Sequence, residues 1–485
     1  MPFLRKPGGA RSVVPFLRKP GRGKLCRAHV CENRGGARSV VPNFHVVIYR
    51  ENNGQCNRMI VAAIALLLAP QDGQKIKEPP KTLFQQYIKE PTGNSAFEDY
   101  LRAADALNTP EYLEMGRAIN ILQGYYPGET DIENKLPDWA KNKSSLDIER
   151  MRVAKFEPVL KWIEEGNRKP LAIPADCQDP LMPMQWLARY KTISKFSASA
   201  ARVHLADDDP AGAARILSED LKFAQKIRSA NLISDLVGIA CQSIDLAVIE
   251  VNLTNFGESD WSLLIDTADE FLRELPPLAA AYPKELTSYP AMIRTAIKEA
   301  SEFDPSQQTD EFDPNDYSKV APEIKKMSPD QREQLAKDTY AFVAQQINES
   351  VKALSLREGK WPWPDQPQPT PPSPLIGAMS DASTPVMEQV FVAEARNRVQ
   401  IRLFLLHGLI QSYRWRNNRL PRTLDELGEK NAILDQLAGG KFMYEIDGPA
   451  YHLFSRGRGD TQKIELRRRT STSAGRGDPD QPDVP

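Results

Sequence analysis

The sequence predicts a mainly α protein: antiparallel helical hairpins forming a bundle, followed by a small C-terminal α+β module made of a long helix plus a β-hairpin. Three observations carry this prediction. Apolar residues recur with helical period from about Phe84 to Leu275. Asp209-Pro210 interrupts that pattern with an N-cap and a proline at the first helical position, as in a tight turn between two helices. Near the C-terminus the period falls to two, in Lys441 to Ile446 and Ala450 to Phe454, joined through Asp447-Gly448 as a hairpin.

Residues 1–58 read as a non-native leader, expected to be disordered. PFLRKPG stands at Pro2 to Gly8 and again at Pro15 to Gly21, and GGARSVVP at Gly8 to Pro15 and again at Gly35 to Pro42. Self-copying without hydrophobic periodicity fits translated repetitive DNA, so Met59 is taken as the start. The apolar run Ile60 to Ala69 follows. It is too short to span a bilayer but matches the apolar region of a secretory signal, placed at 59–69. The alternative is a buried N-terminal helix. Export to the periplasm or cell surface is the expectation, with no transmembrane helix in the mature chain.

The leader holds twelve Lys and Arg against two acids, leaving 51 of the 63 basic and 62 of the 64 acidic residues to the remainder. That mildly acidic body carries no electrostatic footprint for nucleic acid or anionic lipid. Cys26, His29 and Cys31 imitate metal-ligand spacing inside the leader, without a fourth ligand. Cys177 and Cys241 remain. They could pair after export, but Cys241 lies in a strongly apolar helical run, where a buried free thiol is expected.

Residues 80–300 form the helical-hairpin domain. Ser95 with Glu98 predicts a capping box, and Thr109-Pro110 a second helix start, giving helices Ala96 to Leu107 and Pro110 to Leu122. A third helix, Leu146 to Glu165, has Met151, Ala154, Phe156, Val159, Leu160 and Ile163 as its inner face and a kink at Pro158. Helices at Gln185 to Ala206 and Ala211 to Arg228 meet at Asp207-Asp208-Asp209-Pro210. The next, Asn231 to Leu253, is apolar around most of its circumference and so must be central. Its Asp235, Gln242 and Asp245, at i, i+7 and i+10, form one narrow stripe expected to face water or a cleft.

Residues 301–327 form an acidic loop in which Glu302-Phe303-Asp304-Pro305 is echoed by Glu311-Phe312-Asp313-Pro314. The ligand spacing and turn glycine of an EF-hand are missing from it. Ser328 with Gln331 opens a helix over 328–357, whose face is Leu335, Phe342, Val343, Ile347, Val351 and Leu354. A Pro-rich linker, 358–384, contains Trp361 and Trp363 as expected anchors. The α+β module, 385–468, begins with a helix, Pro385 to Asn417, with Val390, Ala393, Val399, Leu403, Leu406, Ile410 and Tyr413 on one face. Asn417-Asn418-Arg419-Leu420-Pro421 stops it, and Thr423 with Glu426 predicts a capped short helix to Leu427. The tail, 469–485, is polar and expected to be disordered.

The stretch Arg414-Trp415-Arg416-Asn417-Asn418-Arg419-Leu420-Pro421-Arg422-Thr423-Leu424-Asp425-Glu426-Leu427, with Phe442-Met443-Tyr444 and Tyr451-His452-Leu453-Phe454-Ser455, resembles the C-terminal half of type II secretion pseudopilins of the major (G) type. The resemblance covers roughly 70 residues and implies a long helix, a turn, a short helix and a small antiparallel sheet. The helix here is internal and lacks the prepilin-peptidase signature, and the calcium-binding Gly-Asp-rich end is reduced to Ser455 to Asp460. The segment Arg202 to Ala214 (RVHLADDDPAGAA), then the apolar helix start Leu232 to Ala240 (LISDLVGIA), then this C-terminal unit, together spanning Val159 to Ser455, resemble a group of uncharacterised exported bacterial helical proteins, which implies architecture and no activity.

No HExxH, GxSxG, P-loop or dinucleotide fingerprint is present, so no catalytic, cofactor-binding or metal-binding residue is assigned and no cofactor is expected. Outside the leader the only histidines are His204, His407 and His452. Asp207, Asp208 and Asp209 are expected to favour a helix start rather than hold a cation. Three functions follow as expectations: a non-catalytic exported scaffold or interaction protein whose partner is another envelope protein, an accessory component of a type II secretion or pilus-like system, and a carboxylate-based enzyme using Asp235, Asp245 or Glu250.

Overall fold

The computed structural model describes residues 81–124, 135–174, 184–228, 232–274, 286–287, 289–304, 320–355, 369–383, 387–429, 432–435, 437–457 and 463–465. The leader, Ile60 to Ala69, Cys177, most of the acidic loop, Trp361, Trp363 and the tail lie outside these residues. The described part is mainly α with two small antiparallel sheets near the C-terminus, matching the fold class read from the sequence. Among the described residues no helix is long and apolar enough to cross a membrane.

The chain opens with α1 (Leu83–Tyr87), α2 (Ala96–Ala106) and α3 (Pro110–Leu122). Asp105, on the last turn of α2, accepts from the first backbone amides of α1, Leu83 N at 2.7 Å and Phe84 N at 2.8 Å, and so caps a neighbouring helix. At the start of α2 the expected capping box is half formed. Ser95 Oγ accepts from Phe97 N, but Glu98 turns to the preceding loop and accepts from Thr92 N at 2.9 Å, Thr92 Oγ1 at 2.7 Å and Gly93 N at 3.0 Å. Thr109 and Pro110 start α3 as expected.

Pro158 does more than kink the third predicted helix. It divides it into α4 (Ser145–Phe156) and α5 (Pro158–Asn167), with Glu157 between them still near helical geometry. The buried face also shifts. Met151 and Ala154 are exposed, whereas Ile148, Val153, Phe156, Val159 and Ile163 are buried, because α4 packs on α3 and on the next helix.

That helix is α6 (Gln185–Ala206), and it forms the expected hairpin with α7 (Pro210–Ile227). Asp209 Oδ1 accepts from Gly212 N at 2.9 Å to cap α7. Behind the hairpin, Phe97, Tyr100, Trp186, Tyr190 and Phe223 meet in edge-to-face contacts with centroids 4.6–5.9 Å apart, each such pair adding about 0.5–1.5 kcal/mol beyond its burial. Against both arms of the hairpin lies α8 (Leu232–Val251), as central as its composition predicted, followed by α9 (Glu258–Glu274), which packs on α7. Cys241 is a buried free thiol.

A second core joins α10 (Tyr289–Glu302), α11 (Ala321–Ile324), α12 (Pro329–Ser355) and α13 (Pro374–Ser383), with Leu236 of α8 at its edge. The Ser328–Gln331 capping box opens α12, and Leu335, Phe342, Val343 and Ile347 are buried along it.

The long helix α14 (Met387–Asn417) does not present a single apolar face. Ile401, Leu403, Phe404, Leu405 and Leu406 are all buried, because α8 and α9 lie on one side of it and the C-terminal sheet on another. Where it crosses α9, Gly408 is required: a Cβ there would stand 2.6 Å from Ile265 Cγ1 and 2.9 Å from Trp261 Cε3. Asn418 then takes the left-handed conformation (φ 52°) and ends the helix. Thr423 does not cap the following 3₁₀ turn, Leu424–Leu427; Glu426 instead accepts from Arg422 N at 3.0 Å and from Arg419 and Tyr413.

Strands β1 (Leu434–Asp435) and β2 (Gly440–Lys441) pair with each other, and β3 (Met443–Asp447), β4 (Ala450–Ser455) and β5 (Ile464–Glu465) form a sheet in the order β3-β4-β5. Asp447 pairs with Ala450 across a two-residue turn whose first residue, Gly448, has φ 57°. Tyr451, Leu453 and Ile464 drop into the same hydrophobic cluster that contains α2, α6, α7 and α8. The C-terminal α+β unit therefore shares its core with the helical hairpins.

Candidate functional site

The densest polar chemistry of the described residues lies inside the bundle, along the stripe of α8 that was expected to face water or a cleft. Asp235, Gln242 and Asp245 are all buried, the latter two completely. Their ten-residue span covers about 15 Å of helix, and each end meets a different partner set.

At the first end stands Arg228, the residue that closes α7, with a side chain only 1% exposed. Its Nε donates to Asp235 Oδ1 at 2.6 Å. One terminal nitrogen donates to Gln242 Oε1 at 3.1 Å and Asn397 Oδ1 at 2.9 Å, and the other pairs with Glu394. The guanidinium also lies over the Phe271 ring, 5.5 Å from its centroid. Arg398 Nε adds a contact to Glu394 Oε1 at 2.6 Å. One side chain thus joins α7, α8, α9 and α14, using the rigid fork that distinguishes arginine from lysine. Gly238 makes room for it: a Cβ there would stand 2.2 Å from Arg228 Cγ and 2.6 Å from the Ala224 carbonyl oxygen.

Two carboxylates compete for this guanidinium, and they do not share it equally. Burial works against the charge of Glu394, yet Arg228 and Arg398 together hold it below its ordinary value. Asp235 has one arginine in contact; burial outweighs that attraction, the nearby Glu394 adds to it, and Asp235 is pushed up to about 6.

At the other end, Asp245 of α8 faces Asp220 of α7, both fully buried. Ser197 Oγ of α6 donates to Asp220 Oδ1 at 2.8 Å, and Ser194 lies beside both Asp220 and Cys241. Burial raises both carboxyls, Asp245 the further because Asp220 also repels its charge. Burial likewise pushes the Cys241 thiol up, away from the thiolate a nucleophile requires.

The remaining sequence candidates do not join this seam. Asp207 accepts from Arg150 Nε at 2.9 Å, Asp208 takes the left-handed turn conformation (φ 57°), and Asp209 caps α7 while its Oδ2 meets His204 Nδ1 at 2.7 Å. His407 is buried and meets the Tyr451 hydroxyl at 2.8 Å, tying α14 to β4. His452 is exposed beside Glu465, and Glu250 is half-buried on the last turn of α8. Apart from the seam, α3 borders a recess of about 300 Å³ lined by Glu114, Arg117, Ile121, Lys135 and Leu136. Sequence reasoning singled out three members of the seam and missed Arg228, Asp220, Glu394, Asn397 and Gly238. For Glu394 and Asn397 the signal was a polar stripe, Glu394-Asn397-Arg398, on α14; Arg228, Asp220 and Gly238 carried no comparable signal.

No protein-family model, no curated protein and no solved structure matches the chain.

Proposed function

We propose that the chain is a non-catalytic helical scaffold of the bacterial envelope, exported by way of the segment Ile60 to Ala69, whose C-terminal αββ unit docks with another envelope protein. The observation that carries this reading is the Arg228 network. Asp235 and Gln242 of the central helix are spent on Arg228, which fastens α7, α8, α9 and α14 together, a use of buried charge that serves rigidity and register. Because α14 is both a strut of the bundle and the platform for β4 and β5, force on the sheet passes directly to the hairpins. The pseudopilin-like sequence of that unit supports a narrower form, an accessory component of a type II secretion or pilus-like system.

The test has two parts. Intact mass of the protein recovered from its bacterial host is expected to show a chain beginning near Pro70; a mature chain that retains the leader overturns export. Binding of the purified protein to purified pseudopilin subunits, measured by calorimetry, is expected for the accessory role, and loss of that binding on Ile446→Asp, at an exposed position of β3, assigns it to the αββ unit.

A second reading, a carboxylate-based enzyme, is favoured by one observation: two carboxyls with raised pKa values, Asp220 and Asp245, face each other, and perturbed pairs of that kind concentrate at active sites. Turnover of any substrate that Asp245→Asn abolishes while leaving the fold intact establishes it in place of the scaffold.

A further inference from the structure

The Asp220–Asp245 pair poses a hydrogen-bonding problem that its surroundings do not solve. Ser197 satisfies Asp220 Oδ1. Ser194 also reaches Asp220, but both oxygens of Asp245 are buried, and no backbone or side-chain group among the described residues donates to them. The wholly buried Ser194 hydroxyl adjoins the same spot. Two ionised carboxylates in this position would be like charges facing each other inside the bundle, a costly arrangement in a medium of low dielectric. The charged and titratable groups around them give no relief. On α6, Lys191 acts on the Cys241 thiol, and neither it nor the partly buried Lys195 acts on the two carboxyls; α7 brings Asp220 and α8 brings Asp245 and Cys241; no charged side chain of α9 or α14 among the described residues acts on the pair.

We propose that Asp220 and Asp245 share one proton, and that this proton is a pH-sensitive latch holding the middle of α8 against the α6–α7 hairpin. With Asp245 protonated, its hydroxyl donates to Asp220, one negative charge remains, and Ser197 meets it. When the proton leaves, two negative charges face each other in the core and the latch opens, bringing water to Asp245 and to Cys241, one turn away on the same helix.

The sign follows from linkage. In the open state the aspartates return towards their ordinary value of 3.8, while the closed state keeps its proton to higher pH. The latch is therefore fully effective below the ordinary aspartate value and is lost as pH rises through the closed-state value. Between those limits the closed-to-open ratio falls about tenfold per pH unit. Asp235 contributes with the same sign between 3.8 and about 6, so the measurement is a difference between the native chain and Asp245→Asn, whose amide donates to Asp220 without being able to ionise.

The experiment labels the full chain with a maleimide at stepped pH and reads Cys241 by peptide mass. The ratio of labelling rates, native over Asp245→Asn, is expected to climb with pH, approaching tenfold per unit; a ratio that stays flat or falls overturns the latch. Infrared spectra of the native chain carrying ¹³C-labelled aspartate keep the proposal testable should Asp245→Asn not fold. A protonated carboxyl stretch, in addition to that of Asp235, is expected to persist well above the ordinary aspartate value. Its absence, or recovery of a stoichiometric metal ion in its place, overturns the shared proton.

Discussion

Two sets of aspartates occupy neighbouring places in the chain and opposite physical worlds. Asp207, Asp208 and Asp209 lie at the exposed turn of the α6–α7 hairpin, whereas Asp220, Asp235 and Asp245 lie inside the bundle built on it. At the turn, Asp209 is held below its usual range, first by the Gly212 amide and then by His204. Inside, all three are pushed upward, with burial the largest cause. The same residue type makes a cap where water solvates it and a fastening where water is excluded. For the inner aspartates burial outweighs the partner, whereas at equally buried Glu394 two arginines outweigh burial.

The contrast can be broken or sharpened by substitution, beginning with the largest effect. Arg228→Met leaves Asp235 and Glu394 buried without their shared partner, and stability in chemical denaturation is expected to fall by about 3–5 kcal/mol. Adding Asp235→Asn and Glu394→Gln to it should return much of that loss; if the triple variant is no more stable than Arg228→Met, the network's value lies in packing rather than charge. Gly238→Ala sets a methyl group against Arg228 and the Ala224 carbonyl, and the expected loss is about 1–3 kcal/mol. A thermal midpoint equal to that of the parent chain would show that α7 and α8 can separate freely, contrary to the contact seen. The smallest change is Asp209→Ala, worth about 1 kcal/mol for a lost cap. Because the folded-state pKa of Asp209 is lowered, this contribution is present above 3.8 and disappears as pH falls through the folded value. An Asp209→Ala effect that persists in strong acid, or exceeds that of Arg228→Met, would reverse the comparison.

How much of this was legible beforehand depends on how far apart the deciding residues lie. The hairpin was plain because Asp209, Pro210 and the two flanking periodicities are local, and the same holds for the Ser328 cap, the Asn418 stop and the β3–β4 turn. The centrality of α8 was plain because an apolar circumference has only one place to go. The fate of its polar stripe was not. Asp235 and Gln242 meet Glu394 and Asn397 through Arg228, 166 and 169 residues away from those two partners, and no local period distinguishes a stripe facing water from one facing a second polar stripe. Nor did the expected single apolar face of α14 anticipate burial on several sides, since that follows from which elements happen to flank it. Near Ser95, Glu98 had the spacing for a capping box and found three better donors in the loop before it.

Placing α14 inside the assembly, rather than beside it, makes the order of segments along the backbone less important than their interlocking. The α+β unit is separated from the hairpins by more than a hundred residues of sequence, yet it shares oil, aromatic rings and salt links with them. Cutting the peptide anywhere between Ser355 and Thr370 should consequently leave two fragments that travel through a sizing column as one particle, much as a keystone stays seated when the mortar above it is removed.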